Sequence, residues 1–177
     1  MDETNQKLIK LRQKIDIIDT KLIELIEDRS NLAKEIIKAK SGEDIFKPER
    51  EETLIKQIIK QSISSNPDFI ERVWRLLISE NLFLQGGLRV SVGSSMDAYE
   101  SACWHFGRSA KIIIEKNNKD AFKKVITENY DAAVVLKTKE LKDEYLIDGK
   151  IIRKFASTPI TDQPKLAKIV IFKKSEF

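Results

Sequence analysis

The chain has 177 residues, 41% hydrophobic and 34% charged, with one cysteine and one histidine. That is enough apolar material for one packed domain or two small ones, but it excludes an internal disulfide, a Cys/His zinc site and a histidine-based catalytic triad. The net charge of +4 lies in residues 86–177, where lysines are scattered among acids with few aromatics between them, so nucleic acid is not expected as a partner.

Residues 1–86 read as helix. Leu8, Leu11, Ile15, Ile18, Leu22, Leu25, Leu32 and Ile36 recur in steps of three and four, the period of one helical face. No Pro or Gly interrupts before Gly42, so a single helix is expected over about residues 5–40, roughly 54 Å long. A globule of this size is only about 40 Å across. A rod that long, apolar along most of one side, calls for a partner of equal length, and a homodimer is the economical arrangement. A second helix follows Pro48 through EREETLIKQIIKQ. Asn66 before Pro67 is an N-cap for a third helix, DFIERVWRLLISENLFLQ, which stops at Gly86-Gly87.

Residues 88–177 change period. RVSV (89–92), KIIIE (111–115), AAVVL (132–136) and KIVIF (168–172) are short β-branched runs with the character of strands. Two helical segments, SMDAYESACWHFG and NKDAFKKVITENY, separate the first three. This β-α-β-α-β order predicts a small α/β domain with a mostly parallel sheet. A hairpin over Glu144–Ser157 is expected to turn at Asp148-Gly149. Gly93-Ser94-Ser95, between a strand and a helix, could present N–H groups to an anion, although ordinary loop chemistry accounts for it. Cys103, Trp104 and His105 cannot share one helical face, and a buried cysteine beside a packed aromatic is the expectation.

The positions that break the pattern carry the chemistry. After Leu25 the stripe lands on Arg29 and resumes at Leu32. A guanidinium in an apolar seam must be paired, either in a structural ion pair or with an anionic ligand. Arg12 and Lys40 lie within reach of the same stripe. On helix three the stripe runs Ile70, Val73 and Leu77 and then meets Asn81 and Gln85 on a partly apolar face, either as a polar helix end or as pocket donors. Arg50-Glu51 adds a cation and a carboxylate. Together these describe a receptacle for a small polyanion. It has no nucleophile with an activating base and no metal cluster, so its chemistry would rest on orientation and electrostatics.

The run LRQKIDIIDTKLIELIEDRSNLAKEIIKAK, then FKPEREETL and the closing FIERVWRLLISENLFLQ, resembles the all-helical class of chorismate mutases over about residues 5–86. That resemblance implies an intertwined dimer of three-helix subunits. It implies rearrangement of chorismate to prephenate without a cofactor, a step in aromatic amino acid biosynthesis. By position, Arg29 would clamp one substrate carboxylate, and Arg12 of the other copy would hold the second. Lys40 and Gln85 would donate to the ether oxygen, Glu51 would accept from the substrate hydroxyl, and Arg50 and Asn81 would support the walls. Lys47 stands where the family commonly has an acid that helps address that hydroxyl, which implies a rearranged rim.

Residues 88–177 more faintly resemble the first lobe of a prephenate dehydratase domain. The Thr-Arg-Phe/Tyr signature is missing, so no dehydratase activity is expected. If the pocket is wholly helical, deleting 88–177 should leave mutase activity. The apolar runs are too short to span a bilayer and the opening MDETNQKLIK is no secretion leader, so cytoplasmic localisation is expected. Two alternatives stay open at this point: a non-catalytic dimeric relative, and a small-anion sensor that binds through the C-terminal domain.

Overall fold

The computed structural model describes residues 3–39, 46–63, 65–107, 109–158 and 166–174. The chain divides into two compact units, residues 1–43 and 44–177.

In the first unit, α1 (Glu3–Ala39) is one uninterrupted helix of 37 residues, about 55 Å long. The expected stripe is present and wider than expected. Leu8, Leu11, Ile15, Ile18, Leu22, Leu25, Leu32 and Ile36 are exposed, and so are Ile9, Ile17, Ile23 and Ile26 beside them. A helix apolar on more than one face takes its stability from burial against other elements.

In the second unit, α2 (Pro48–Gln61) begins with proline in its first turn, where the missing N–H costs nothing. α3 (Pro67–Leu84) is capped as expected, with Asn66 Oδ1 accepting from the Asp68 N–H at 2.9 Å. It ends where Gly86 and Gly87 take positive φ. Then come β1 (Arg89–Val92), α4 (Met96–Phe106), β2 (Lys111–Ile114), α5 (Asn118–Thr127), β3 (Ala132–Leu136), β4 (Glu144–Ile147), β5 (Lys150–Thr158) and β6 (Ile169–Lys174). Ser95 and Asn117 cap α4 and α5, accepting from Ala98 and Asp120 N–H groups.

The six strands form one sheet in the order β2-β1-β3-β6-β5-β4. β2, β1 and β3 are parallel as expected, because parallel neighbours need the crossovers that α4 and α5 supply. The sheet as a whole is mixed, not mostly parallel: β6, β5 and β4 run antiparallel to their neighbours. No helix lies between β3 and β4, and β4 returns directly into β5 at Asp148-Gly149. Both turn residues have positive φ, the conformation a two-residue Asp-Gly hairpin requires.

Alternation along the strands divides the core into two faces. Val90, Val92, Val134, Ile169 and Ile171 pack with Ala98, Ala102 and Phe106 of α4, and with Phe46, Ile55, Ile78 and Leu82. The opposite face packs Val135, Ile152, Val170 and Phe172 against Phe122, Val125 and Ile126 of α5. Thus α2 and α3 share a core with the sheet, and residues 86–88 link α3 to β1 within one unit. α3 also lies close on α4: the Ser79 hydroxyl donates to the Phe106 carbonyl. Gly107 has a φ of 73° and a Cβ there would collide with Ser79. This packing changes the expected effect of deleting 88–177, because the helices would lose part of their core.

Candidate active site

Two of the candidate residues belong to α1. Arg12 is exposed and Arg29 is half-buried. Their separation along the unbroken helix is about 25 Å. Partial burial lowers the Arg29 guanidinium from its ordinary pKa, the direction desolvation imposes on a cation. Lys40 lies outside the described residues.

The next three candidates stand at the start of α2. Lys47 is half-buried at the N-cap position and makes no side-chain cap. Its carbonyl accepts the N–H groups of Arg50 and Glu51 at 3.1 and 3.2 Å. The helix dipole there favours an anion, so the lysine removes a charge that would suit the position. Arg50 is exposed and lines an open groove of about 420 Å³ with Glu49, Thr53, Leu54 and Gln57.

Glu51 lies one turn before the fully buried Ile55. Desolvation raises its pKa to about 7, against the opposing pull of Arg75 and Lys173. A carboxyl whose folded pKa lies above its unfolded value favours folding while protonated. That contribution is complete below the unfolded pKa and is lost as pH rises through 7. Glu51→Gln is therefore expected to stabilise the protein at pH 8 by on the order of 2 kcal/mol, allowing for partial solvation, and to be neutral at pH 4. Thermal melts of both proteins at the two pH values check this. Equal effects at both would mean that the ionised carboxylate carries no cost.

At the far end of α3, Asn81 and Gln85 are half-buried. Gln85 is the C-cap residue, and its Nε2 donates to the Asn81 carbonyl at 3.1 Å. A ligand oxygen would have to compete with that contact.

The structure also collects charges that the sequence reading passed over. Glu71 and Arg75, both buried, form an ion pair one turn apart on α3, with Arg75 Nη2 3.1 Å from Glu71 Oε1. The stripe read from sequence ran through Ile70, Val73 and Leu77, yet the most buried face carries Glu71, Arg75, Ile78 and Leu82. The 71-75-78-82 spacing was legible by the same rule that singled out Arg29. Lys173 is a second omission. It follows Ile169 and Ile171 at strand period, is buried, and its Nζ donates to the Phe46 carbonyl at 2.7 Å.

His105 is buried beside Arg75 without a hydrogen-bond partner on either ring nitrogen. Desolvation and the Arg75 charge hold its pKa well below the usual range, so it is a neutral core residue. Asn118 packs directly on Gly93, and the Ser95 hydroxyl is engaged as the α4 cap. Loop chemistry thus accounts for the Gly-Ser-Ser turn. Among the described residues no cluster of His, Cys, Asp and Glu could hold a metal, and no helix is long and apolar enough to cross a membrane.

The sequence profile of chorismate mutase type II matches residues 11–86. A chorismate mutase of Methanocaldococcus jannaschii is 38% identical over 84 residues, covering 45% of this chain and 85% of that protein. Bifunctional chorismate mutase/prephenate dehydratases of Neisseria gonorrhoeae and Aquifex aeolicus are 27% and 29% identical over 135 and 139 residues, each covering 73% of this chain. The chain spans only 37% and 38% of the length of those two. No solved structure gives a significant match.

Proposed function

We propose that this chain, which belongs to the chorismate mutase family, catalyses the rearrangement of chorismate to prephenate in aromatic amino acid biosynthesis. One observation carries the reading of its site: Arg12 and Arg29 lie about 25 Å apart on one rigid helix. A single small dianion cannot bridge that distance. Two copies of α1 packed antiparallel about a dyad near Thr20-Lys21 would bring Arg12 of one beside Arg29 of the other.

The apolar surface supports that pairing. The twelve large apolar side chains exposed on α1 would together gain on the order of 10 kcal/mol per chain if their exposed halves were buried. Phe69, Leu76 and Phe83, spaced at seven residues on α3, are also exposed and offer a second stripe to a partner copy. Both support a homodimer with shared pockets.

In this reading the two guanidiniums hold the two carboxylates of chorismate in the compact conformer that reacts. Lys40 and Gln85 donate to the ether oxygen, where negative charge grows as the C–O bond breaks and the new C–C bond forms. Glu51 accepts from the ring hydroxyl, and Arg50 and Asn81 support the walls. The rearrangement moves electron pairs within one molecule, so no nucleophile, proton relay, cofactor or metal is required. A million-fold acceleration needs roughly 8 kcal/mol, and charge-assisted hydrogen bonds contribute about 1.5–3 kcal/mol each. Two ether donors and two carboxylate clamps reach that range.

Loss of chorismate absorbance, with prephenate identified as the product, tests the activity. Lys40 bears the formal charge at the breaking bond, so Lys40→Ala should lower kcat by about 100-fold or more and exceed the loss in Glu51→Ala. The reverse order would move the main electrostatic role to the hydroxyl side. The reaction proposed is the mutase step alone.

A further inference from the structure

We propose that Lys173, on the last strand of the α/β domain, is a positioning residue for the mutase pocket: it holds the Phe46 carbonyl and thereby the first turn of α2, which carries Lys47, Arg50 and Glu51. The inference rests on the mutase reading and adds to it a role for the appended domain.

The geometry starts from the strand. Ile169, Ile171 and Lys173 share the sheet face that receives α2 and α3, so a lysine occupies a position that alternation reserves for an apolar residue. The side chain is 7% exposed, with its Nζ 2.7 Å from the Phe46 oxygen. The ammonium also lies 5.6 Å from the Phe46 ring and 5.5 Å from the Phe155 ring of β5, within the range of cation–π attraction. Phe46 is fully buried and packs against Phe106 of α4 at 5.5 Å. The residue preceding the Lys47 cap is therefore fixed by two elements of the α/β domain, β6 through Lys173 and α4 through Phe106, while Phe155 of β5 contacts the lysine.

From Phe46 the constraint passes along a short path. The Lys47 carbonyl closes the first turn of α2 on the N–H groups of Arg50 and Glu51. The charges acting on Glu51 come from Arg75 of α3 and Lys173 of β6, and both favour its carboxylate. Arg75 is itself held by Glu71, feels Glu52, and lies beside the neutral His105 of α4. Lys173 thus acts twice, as a donor that sets the position of the turn and as a charge that keeps Glu51 an acceptor near neutral pH. A buried lysine that only stabilised the fold would not move the pH dependence of turnover.

The experiment measures chorismate turnover by the full chain from pH 5.5 to 9. Wild type is compared with Lys173→Met, Lys173→Gln and the exposed control Lys174→Met, with folding followed by circular dichroism. Lys173→Met should lower kcat/KM about 30-fold at pH 7, the scale of one charge-assisted hydrogen bond, and shift the acid limb of the profile alkaline by about one unit. Lys173→Gln keeps a donor without the charge, so its limb should shift equally while its rate above pH 8 recovers most of the loss. Lys174→Met should match wild type. An active wild type with both Lys173 variants at its rate and limb would overturn the inference and leave the mutase reading standing. An inactive wild type would defeat the mutase reading itself. If Lys173→Met does not fold, Lys173→Gln decides: a wild-type limb in that variant overturns the inference.

Discussion

Arg29→Ala should lower kcat/KM for chorismate by about a thousand-fold while the protein stays folded and dimeric. The size follows from what the substitution removes. Truncating one partner of a buried, hydrogen-bonded charge pair costs about 2–5 kcal/mol, and every 1.4 kcal/mol is tenfold. Arg29 is already half-buried in the single chain, with its guanidinium partly desolvated, so its dipoles and charge need little further reorganisation to meet a carboxylate. A lysine there should recover only part of the loss, because a point charge cannot reproduce the two parallel N–H donors of a guanidinium. The helix tolerates alanine better than any other residue, so the fold should not suffer. Steady-state kinetics on purified, folded variants check this. A loss below tenfold would return Arg29 to a structural ion pair and remove the main anion clamp.

Deleting residues 88–177 should abolish cooperative unfolding of the remaining helices and, with it, mutase activity. Phe46, Ile55, Ile78 and Leu82 are buried in a core completed by Val90, Val92, Phe106 and Ile171. Exposing four large apolar side chains costs about 1.5–3 kcal/mol each, together comparable to the whole stability of a small domain. The deletion also removes Lys173, the donor to the Phe46 carbonyl. The Methanocaldococcus relative, matched over 85% of its length, has little room for such a domain, so the dependence belongs to the apolar α2–α3 face of this chain. A truncated protein that melts as sharply as the full chain and turns over chorismate at the same rate would show that the shared core is dispensable.

The difference between this outcome and the sequence expectation shows where the sequence was legible. Helix α1 could be read because nothing in Glu3–Ala39 interrupts it and its apolar residues keep one period. The Asn66 cap and the Asp-Gly turn were legible because few residues satisfy those local geometries. The parallel half of the sheet followed from its intervening helices. The direction of β6 did not, because an apolar run reads the same in either orientation. The sheet-facing side of α3 was hidden for a related reason. Leu54, Ile55, Ile58 and Ile59 keep the apolar residues of α2 on one face, but α3 has apolar residues on two sides, and periodicity alone does not say which side meets the sheet. The Glu71–Arg75 pair and Lys173 were legible in principle, as charges at core-facing positions of a helix and a strand. Glu71 and Arg75 lie off the apolar stripe through Ile70, Val73 and Leu77, the stronger period on that helix. Of the candidate site, the residue types and their spacing came from the N-terminal sequence, whereas the raised pKa of the Glu51 carboxyl needed the fold, since its burial and the opposing charges of Arg75 and Lys173 come from packing against distant positions.

The most direct measurement mixes two inactive proteins. Arg12→Ala and Arg29→Ala are each purified, combined, unfolded, refolded together and assayed for chorismate turnover. If each pocket takes Arg12 from one copy and Arg29 from the other, a mixed dimer contains one doubly damaged pocket and one intact one. Statistical mixing should then restore about a quarter of wild-type activity, the share expected when half the dimers are mixed and one pocket in two is whole. No recovery in a mixture shown to contain heterodimers would mean that both guanidiniums serve a pocket within one chain, and the shared-site account would be wrong.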